Sequence, residues 1–317
     1  MKRDGHFDQR LLAFVTLGLV AFGLVMVYSA TSASAAVGGR DPSYYLKRQA
    51  VFAVLGVGAM IFGARWRYRA LRPLAPTLLL GSLVLLAGVL ARGAAVTIAL
   101  GFVAIWFEPY RRARVFSFFN PWGDAQGAGF QSVQALIGLG SGGFLGTGLG
   151  HGVEKVLYLP EAHTHMIFAV IGEELGLLGT TFVIAMYAAF AYVGLRIALA
   201  ARDPFAKRLA AGLTVLVCGQ AALNVAAVVG IAPLTGVTLP FVSYGGTSLV
   251  VSLASVGVLL NIARNDVRER SVALRDRSRG DGRPRAAVAR RRGSTARPER
   301  AGDLRRVGGP RRVAARP

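Results

Sequence analysis

The chain has 317 residues, of which 53% are hydrophobic and 17% are charged, and its formal net charge is +21. The hydrophobic residues are gathered into long runs, which excludes an ordinary soluble domain and indicates an integral membrane protein. More than half of this positive charge lies in residues 264–317, which carry 18 arginines against six acids. Because the charge is concentrated in this terminal segment, it does not indicate a nucleic-acid-binding protein. Such a segment after the last apolar run is typical of a disordered, basic cytoplasmic tail close to anionic membrane lipid.

Five apolar runs have, or come close to, the length that a helix needs to cross the hydrocarbon core of a bilayer. The first follows a short cytoplasmic N-terminus, residues 1–10, and is too long for a signal-peptide core, so we expect it to remain as a helix. The fourth run contains the single cysteine, Cys218, which cannot form an intrachain disulfide and indicates no metal site. The five predicted spans are residues 11–30, 50–64, 167–195, 209–231 and 241–262.

The stretch between residues 71 and 107 is apolar enough for two short spans separated by Arg92. Loop charges allow only one crossing there, because the arginine-rich segments 65–72 and 196–208 belong inside and the long loop between them belongs outside. The sequence therefore predicts an all-α integral membrane protein, a polytopic helical bundle of about six spans, with seven as the alternative. Six crossings place both termini in the cytoplasm. Its membrane domain is residues 11–263, which include a large extracellular loop at 108–164.

The extracellular loop contains two features suited to an anionic ligand. Arg111, Arg112 and Arg114 cluster at the outer membrane edge, where orientation does not require them, and a guanidinium matches the geometry of a phosphate. The alternative for these arginines is a contact with lipid headgroups. The segment 138–152 has glycine at 8 of 15 positions, which predicts either a backbone nest for a phosphate or a flexible, close-packed turn.

Acids and histidines mark the start of the third of these spans. Glu173 and Glu174 lie about eight residues into the helix that begins near His165, where a carboxylate is costly unless it faces protein or water. Both are candidates for a functional or a structural role within the membrane. Gln220 and Asn224, spaced four residues apart on the next span, are their predicted hydrogen-bond partners.

The segment 230–249, "GIAPLTGVTLPFVSYGGTSL", interrupts helix geometry with Pro233 and Pro240. Non-helical backbone at membrane depth persists only where protein or a wet cavity satisfies its polar groups. The pattern predicts either a substrate groove within the bundle or a kinked helix.

Four stretches of the sequence carry a family resemblance: "DPSYYLKRQ", "FNPWGDAQGAGFQSVQALIGLGSGGFLGTGLG", "YLPEAHT" followed by "IFAVIGEELGLLG", and "PLTGVTLPFVSYGGTS". Together they resemble the FtsW/RodA/SpoVE (SEDS) family, in FtsW-like wording, over residues 9–91 and 93–263. The resemblance implies a multi-pass protein of the bacterial plasma membrane that serves cell division, elongation or sporulation. It also implies the polymerisation of lipid II into glycan strands, together with a class B penicillin-binding protein and other divisome or elongasome proteins.

The sequence departs from this family in its middle. Members of the family show about ten spans, and the match jumps at Arg92 from what resembles the third family span to what resembles the seventh. The central spans of the family, with their loop motifs, are therefore missing. Removing three spans inverts everything downstream unless one of the fused halves stops crossing, which is the same conflict that the loop charges reveal between residues 71 and 107.

A second departure concerns the expected catalytic residue. The family has aspartate after "HT" as its catalytic acid/base, and this chain has His165. A neutral histidine, with an ordinary pKa of about 6.5, accepts a proton but supplies no negative charge to an oxocarbenium-like centre. Four interpretations follow: His165 acts as the base, Glu161 replaces the missing acid, the protein is an inactive or weakly active paralogue, or the sequence carries an error.

The resemblance leaves three functions in competition. They are a glycosyltransferase that acts on lipid II, a non-catalytic scaffold for a penicillin-binding protein, and a lipid II translocator. The residues require no cofactor, and a divalent cation bound with the pyrophosphate is left open. The expected substrate-binding residues are Arg111, Arg112, Arg114, Lys155, His163, Ser243 and Tyr244.

Overall fold

The computed structural model describes residues 5–37, 41–66, 68–77, 80–81, 116–157 and 162–280. Within these ranges the chain forms helices and turns and has no β-strand. Short 3-10 helices lie at Tyr68–Leu71 and Pro121–Asp124. The α-helices referred to below are α1 (Gly5–Val37), α2 (Tyr44–Arg65), α3 (Phe130–Ser141), α4 (Glu154–Leu157), α5 (Ile167–Ala200), α6 (Pro204–Val228) and α7 (Gly246–Gly280).

Among the described residues, five helices are long and apolar enough to cross a membrane. The predicted all-α, multi-pass membrane bundle is confirmed. The sixth predicted span, between residues 71 and 107, lies mostly outside the described residues, as do Arg111, Arg112, Arg114 and Glu161. The five membrane-length stretches are His6–Ser32, Tyr44–Arg65, Ile167–Ala200, Pro204–Val228 and Gly246–Val267.

The start of α6 shows how a helix extends beyond its apolar run. The helix begins at Pro204 rather than at residue 209. Asp203 caps it by accepting the N–H of Phe205 at 3.1 Å, and a proline in the first turn has no N–H that would lack a partner. The cap at Asp203 therefore starts the helix five residues before the predicted apolar run.

α7 differs from its predicted span at both ends. It begins at Gly246 rather than at residue 241, because the residues before it form a turn. It continues to Gly280, so the expectation of a disordered tail from residue 264 is corrected for its first part, where alanine, leucine and arginine favour helix. The compact membrane unit ends at Glu269, and residues 281–317 lie outside the described residues.

α5 is the central helix of the bundle and packs against α1, α3 and α6. Every residue from Ile167 to Glu174 is buried, as expected for a helix that protein surrounds on all sides. α2 and α7 approach closely, since a β-carbon at Gly257 would stand 2.3 Å from the carbonyl oxygen of Met60. Small residues at helix crossings let backbones meet in this way in membrane proteins.

The glycine-rich segment 138–152 packs against the N-terminal part of α5. A β-carbon at Gly146 would lie 2.1 Å from the carbonyl oxygen of Glu174. The N–H of Thr147 donates to the carbonyl oxygen of Glu173 at 2.9 Å. Of the two predictions for this segment, the structure shows the close-packed turn, and these backbone groups contact protein.

α5 breaks at Gly176, whose φ is 63° and ψ is −155°. This region of backbone space is open to glycine and closed to residues with a β-carbon. A β-carbon there would stand 2.4 Å from the backbone nitrogen of Gly146. The break divides α5 into an N-terminal segment that the glycine-rich segment contacts and a C-terminal segment that continues to Ala200.

Candidate functional site

The turn formed by residues 162–166 carries His163 and His165 to the start of α5. Asn224, a buried residue of α6, fixes this turn. Its side-chain amide donates to the carbonyl oxygen of His165 at 2.8 Å and to that of Val237 at 2.7 Å. One amide therefore ties the histidine turn to the non-helical segment that precedes α7.

The imidazole of His165 is half-buried, and among the described residues it contacts the polar side chains of Gln131 and Thr164. The amide nitrogen Nε2 of Gln131, on α3, lies 2.8 Å from ring atom Nε2 of His165. The hydroxyl of Thr164 lies 3.1 Å from ring atom Nδ1. Because an amide nitrogen only donates, we infer from the placement of the Gln131 amide that ring atom Nε2 accepts, which puts the proton of the neutral ring on Nδ1, beside the hydroxyl of Thr164.

A buried ion pair joins α4 to α5. The Nζ atom of Lys155 and the Oε1 atom of Glu174 are 2.5 Å apart, and both side chains have 0% exposure. Ser29 of α1 donates its hydroxyl to Oε2 of Glu174 at 2.5 Å. The same hydroxyl oxygen accepts from Nζ of Lys155 at 3.3 Å and from the N–H of Gly150 at 3.1 Å. Hydrogen bonds thus surround the pair, as burial of two charges requires.

Glu173 has a separate role at the start of α4. Its Oε1 atom accepts the N–H groups of Val153 at 2.5 Å and of Glu154 at 3.2 Å. A carboxylate at this position satisfies backbone donors that have no partner within the helix. Burial raises the pKa of Glu154 above its ordinary value, and the nearby charge of Glu173 raises it further.

These contacts correct the predicted partners of the two intramembrane acids. Gln220 does not pair with either acid; its amide donates to the carbonyl oxygen of Thr238 at 2.9 Å. The amide of Asn224 likewise bonds backbone carbonyl groups. Lys155, expected to bind phosphate, is paired with Glu174 and has no exposed surface, which assigns it to the ion pair instead.

The non-helical segment before α7 is held by protein contacts, as expected for backbone polar groups that no helix satisfies. Phe241 has a φ of 68°, a strained conformation for a residue other than glycine. Tyr187 on α5 donates its hydroxyl to the carbonyl oxygen of Pro240, the residue that precedes Phe241. Ser243 is buried and accepts the N–H of Leu239 at 2.8 Å, so its hydroxyl stabilises this turn and has almost no exposed surface for a substrate.

Tyr244, the next residue, reaches a cavity of about 610 Å³ at the start of α2. Its N–H donates to the carbonyl oxygen of His163 at 2.9 Å, and its ring centroid lies 5.4 Å from that of His163. The structure therefore brings these two predicted substrate-binding residues together. The cavity is lined by Asp41, Tyr44, Tyr45, Arg48 and Tyr244.

Several residues of the site had no signal in the sequence. Gln131 is 34 positions from His165, and no spacing rule connects them. Ser29 lies in an apolar run, and nothing in the pattern of that run indicates a polar contact for it. Arg48 belongs to a stretch that indicated only the family resemblance. Within the described ranges, no cluster of three or more histidine, cysteine, aspartate or glutamate residues is arranged to hold a metal ion.

The cell cycle protein family FTSW_RODA_SPOVE matches residues 9–105 and 90–268. These two matches together cover most of the chain. The chain belongs to this family.

Two curated relatives support the FTSW_RODA_SPOVE assignment. The protein named "Probable peptidoglycan glycosyltransferase FtsW" of Geobacter sulfurreducens is 35% identical over 361 aligned positions, which cover 83% of this chain and 96% of the relative. The stage V sporulation protein E of Bacillus subtilis is 45% identical over 165 positions, which cover 52% of this chain and 45% of the relative.

A solved structure supports the fold. The crystal structure of a mutant of the rod shape-determining protein RodA of Thermus thermophilus superposes with a TM-score of 0.50. The two proteins are 24% identical, and the match covers 80% of this chain and 97% of that chain. The helical bundle is therefore that of the FTSW_RODA_SPOVE family.

The Geobacter alignment also locates a difference in the middle of the chain. Its 361 positions exceed the 317 residues of this chain, so the relative has an internal stretch with no counterpart here. The family matches in two pieces that meet between residues 90 and 105. The overlap includes Arg92, where the match to the family jumps from what resembles its third span to what resembles its seventh.

Proposed function

We propose that this chain binds lipid II at the outer face of the bacterial plasma membrane and polymerises it, with His165 as the proton acceptor. The observation that supports this most is the position of His165. It occupies the place of the family's catalytic acid, it is half-buried at the head of α5, and Gln131 and Asn224 fix its ring and its backbone. A positioned base of this kind is what glycosyl transfer requires.

The proposed step joins two sugars. The oxygen of the acceptor's 4-hydroxyl bonds to the anomeric carbon of the donor, and the bond from that carbon to the pyrophosphate oxygen breaks. Undecaprenyl pyrophosphate leaves with the electron pair, and the hydroxyl proton passes to Nε2 of His165. For this the hydroxyl must replace the amide of Gln131 at Nε2, while Nδ1–H keeps its contact with Thr164. Cations near the pyrophosphate offset its growing charge.

Outside the described residues, Arg111, Arg112 and Arg114 stay our proposal for pyrophosphate contacts in the loop, and Glu161 for an additional carboxylate. The direction of α2 supports an outward-facing site. Its last turn carries Arg65, and arginine-rich ends belong in the cytoplasm. The cavity at the opposite end of this helix then faces outward, and both termini lie inside.

A second candidate function is a non-catalytic scaffold. The observation that favours it is the hydrogen bond from Gln131, which already occupies the lone pair that a base needs. In this case the chain binds a class B penicillin-binding protein, with divisome or elongasome proteins, without forming glycan itself. The names of the curated relatives, peptidoglycan glycosyltransferases, support the catalytic proposal instead.

A polymerisation assay with a class B penicillin-binding protein separates the two candidates. We expect the wild-type chain to polymerise lipid II, His165→Gln to abolish polymerisation, and His165→Asp to retain or increase it. Glutamine is the matched control because it preserves hydrogen bonding without a titratable base. Polymerisation by His165→Asp alone would identify the natural protein as a scaffold, and no polymerisation by any form would reject the catalytic proposal.

A further inference from the structure

Two carboxyl groups beside the glycine-rich segment each have one buried oxygen without a hydrogen-bond partner among the described residues. The side chain of Glu173 is almost fully enclosed, since the residue is 2% exposed. Its Oε1 accepts the N–H groups of Val153 and Glu154, whereas its Oε2 has no partner. Oε2 of Glu154 is likewise buried and unpartnered. Because a buried polar atom costs free energy until it is paired, the two oxygens indicate a binding site for a proton or a cation.

The two carboxyl groups lie on the same side of α5. The N–H of Glu154 donates to Oε1 of Glu173 at 3.2 Å, and a β-carbon at Gly152 would lie 2.8 Å from Oε2 of Glu173. A β-carbon at Gly138 of α3 would lie 3.4 Å from Cγ of Glu154 and 3.9 Å from the carbonyl oxygen of Ala169. Since Ala169 precedes Glu173 by about one helical turn, the side chain of Glu154 lies beside the face of α5 that carries Glu173.

The other charged groups of this region do not neutralise the two carboxyl groups. Nζ of Lys155 lies 2.5 Å from Oε1 of Glu174, and both side chains have 0% exposure, so this ammonium is paired already. α1 contributes the hydroxyl of Ser29, which contacts the same ion pair. α3 has no ionisable side chain, and His151 of the glycine-rich segment is exposed.

We propose that Glu154 and Glu173 share one proton, which Oε2 of Glu154 carries and donates to Oε2 of Glu173. A single hydrogen bond then gives both oxygens a partner. The pair retains one negative charge, and the N–H groups of Val153 and Glu154 stabilise it. Hydrogen bonds from a hydroxyl to a carboxylate oxygen are among the stronger ones in proteins, and two carboxyl groups at a common site favour retention of one proton. The shared proton thereby holds α4 against α5.

The pKa of Glu154 supports this assignment. Burial raises the pKa above its ordinary value, and the nearby charge of Glu173 raises it further. Because the folded state binds this proton more tightly than the unfolded state does, its stabilising effect is complete in acid and is lost as the pH rises through the folded pKa. Two adjacent negative carboxylates then repel each other, so we expect α4 to separate from α5 at higher pH.

This separation has a consequence for the histidine turn. α4 ends at Leu157, and the turn that carries His163 and His165 begins at residue 162. Since only residues 158–161 lie between them, release of α4 should loosen the chain that leads into the turn. The shared proton is thus a pH-sensitive device next to the site, and it does not depend on whether the chain polymerises lipid II.

Infrared difference spectra of the full chain in nanodiscs at near-neutral pH test for the shared proton. The wild type should show the carbonyl-stretching band of a protonated carboxyl group. Glu154→Gln should lose this band, because its amide donates to Glu173 without a titratable proton. Glu173→Gln should lose it as well, because its amide donates to an ionised Glu154 while its oxygen still accepts two N–H groups. Asp124→Asn, which changes an exposed acid before α3, is the matched control and should retain the band.

The remaining outcomes of the infrared experiment contradict the proposal. A band that persists in Glu173→Gln would show that Glu154 holds a proton by itself. A wild type without the band, together with tighter docking of α4 on addition of Ca²⁺ or Na⁺, would identify a cation as the occupant and reject the shared proton.

Hydrogen exchange at the amides of Val153 and Glu154 measures the docking of α4. Protection factors correct for the intrinsic effect of pH on exchange. In the wild type they should fall about tenfold as the pH rises through the folded pKa, as loss of one strong hydrogen bond predicts. In Glu154→Gln they should stay constant, because the amide donates at every pH. Constant protection in the wild type, or an equal fall in Glu154→Gln, would overturn the link between this proton and α4.

Discussion

Lys155 and Glu174 form an ion pair that is closed to solvent on both sides and joins the loop before α5 to α5 itself. The pair lies 19 positions apart in sequence, and the hydroxyl of Ser29 adds a contact from α1. Three parts of the chain therefore depend on a single charged contact. Neither charge can move to water without opening the packing around it.

Single substitutions in this pair should be strongly destabilising. Lys155→Met or Glu174→Gln leaves one buried group without its partner, which costs about 3–5 kcal/mol. The double variant should cost clearly less than the sum of the two, because it leaves no uncompensated charge. Unfolding in mixed detergent micelles, followed by tryptophan fluorescence, measures the difference.

An exposed pair in the same protein provides the control for this experiment. Lys47 and Asp41 are 2.8 Å apart, with side chains 70% and 54% exposed. Lys47→Met should change stability by less than about 1 kcal/mol, as surface ion pairs do. Equal effects of Lys155→Met and Lys47→Met would contradict a special role for the buried pair.

Glu154→Gln should stabilise the protein at neutral pH and have no effect in acid. The pKa of Glu154 is raised by burial and by Glu173, so the folded state binds its proton more tightly than the unfolded state does. Stability from this group is complete below its ordinary pKa of 4.5 and is lost as the pH rises through the higher folded value. Thermal unfolding at about pH 3.5 and about pH 7.5, two conditions chosen to lie well below and well above that ordinary pKa, should show a gain for the variant only at the higher pH.

Gln131→Ala should change the tautomer of His165. In the wild type the amide of Gln131 donates to ring atom Nε2, which holds the ring proton on Nδ1; without it, the ring is free to adopt the Nε2–H form. Nitrogen-15 spectra of histidine-labelled protein report the tautomer directly, and His165→Gln assigns its signal among the four histidines of the chain.

Gln134→Ala, on the same helix, is the control for that measurement and should leave the His165 signal unchanged. An Nε2–H ring in the wild type, or the same tautomer in Gln131→Ala, would be inconsistent with the hydrogen bond described above. This readout does not depend on whether the protein polymerises lipid II.

Gly176→Ala should disrupt the contact between α5 and the glycine-rich loop. The backbone conformation excludes a β-carbon, and the added atom would meet the backbone nitrogen of Gly146 at 2.4 Å, so we expect a loss of about 3 kcal/mol or more. Gly212→Ala on α6 meets nothing within 4 Å and should stabilise its helix by about 0.5–1 kcal/mol. Similar melting temperatures for the two variants would argue against the strained turn.

The apolar runs and their lengths were sufficient to predict the helical membrane bundle, because long apolar runs have few alternatives in a bilayer. They misplaced helix ends where side chains decide the outcome. Asp203 extends α6 by capping it, and the turn held by Ser243 delays the start of α7. Both effects depend on single polar contacts that hydropathy does not measure.

The acids and histidines of the site could be found from the sequence, but their partners could not. Glu174 pairs with Lys155 rather than with the next span, because the loop folds back over the N-terminal part of α5. The partnership between Gln131 and His165 depends on how α3 packs beside α5. Contacts between distant positions follow from this packing, which no periodicity in the sequence encodes.

The turn at Gly176 also changes where the two acids lie relative to lipid. Residues 177–200 alone are about 36 Å long as a helix, enough to traverse the hydrocarbon layer of about 30 Å. Leu177 and Leu178 are the first exposed residues of α5, at 54% and 52% exposure, and they come soon after the buried stretch from Ile167 to Glu174. Hydropathy counts α5 as one continuous stretch, yet the segment after Gly176 is long enough to span the bilayer by itself, so membrane insertion of this helix does not require Glu173 and Glu174 to lie in the low-dielectric layer.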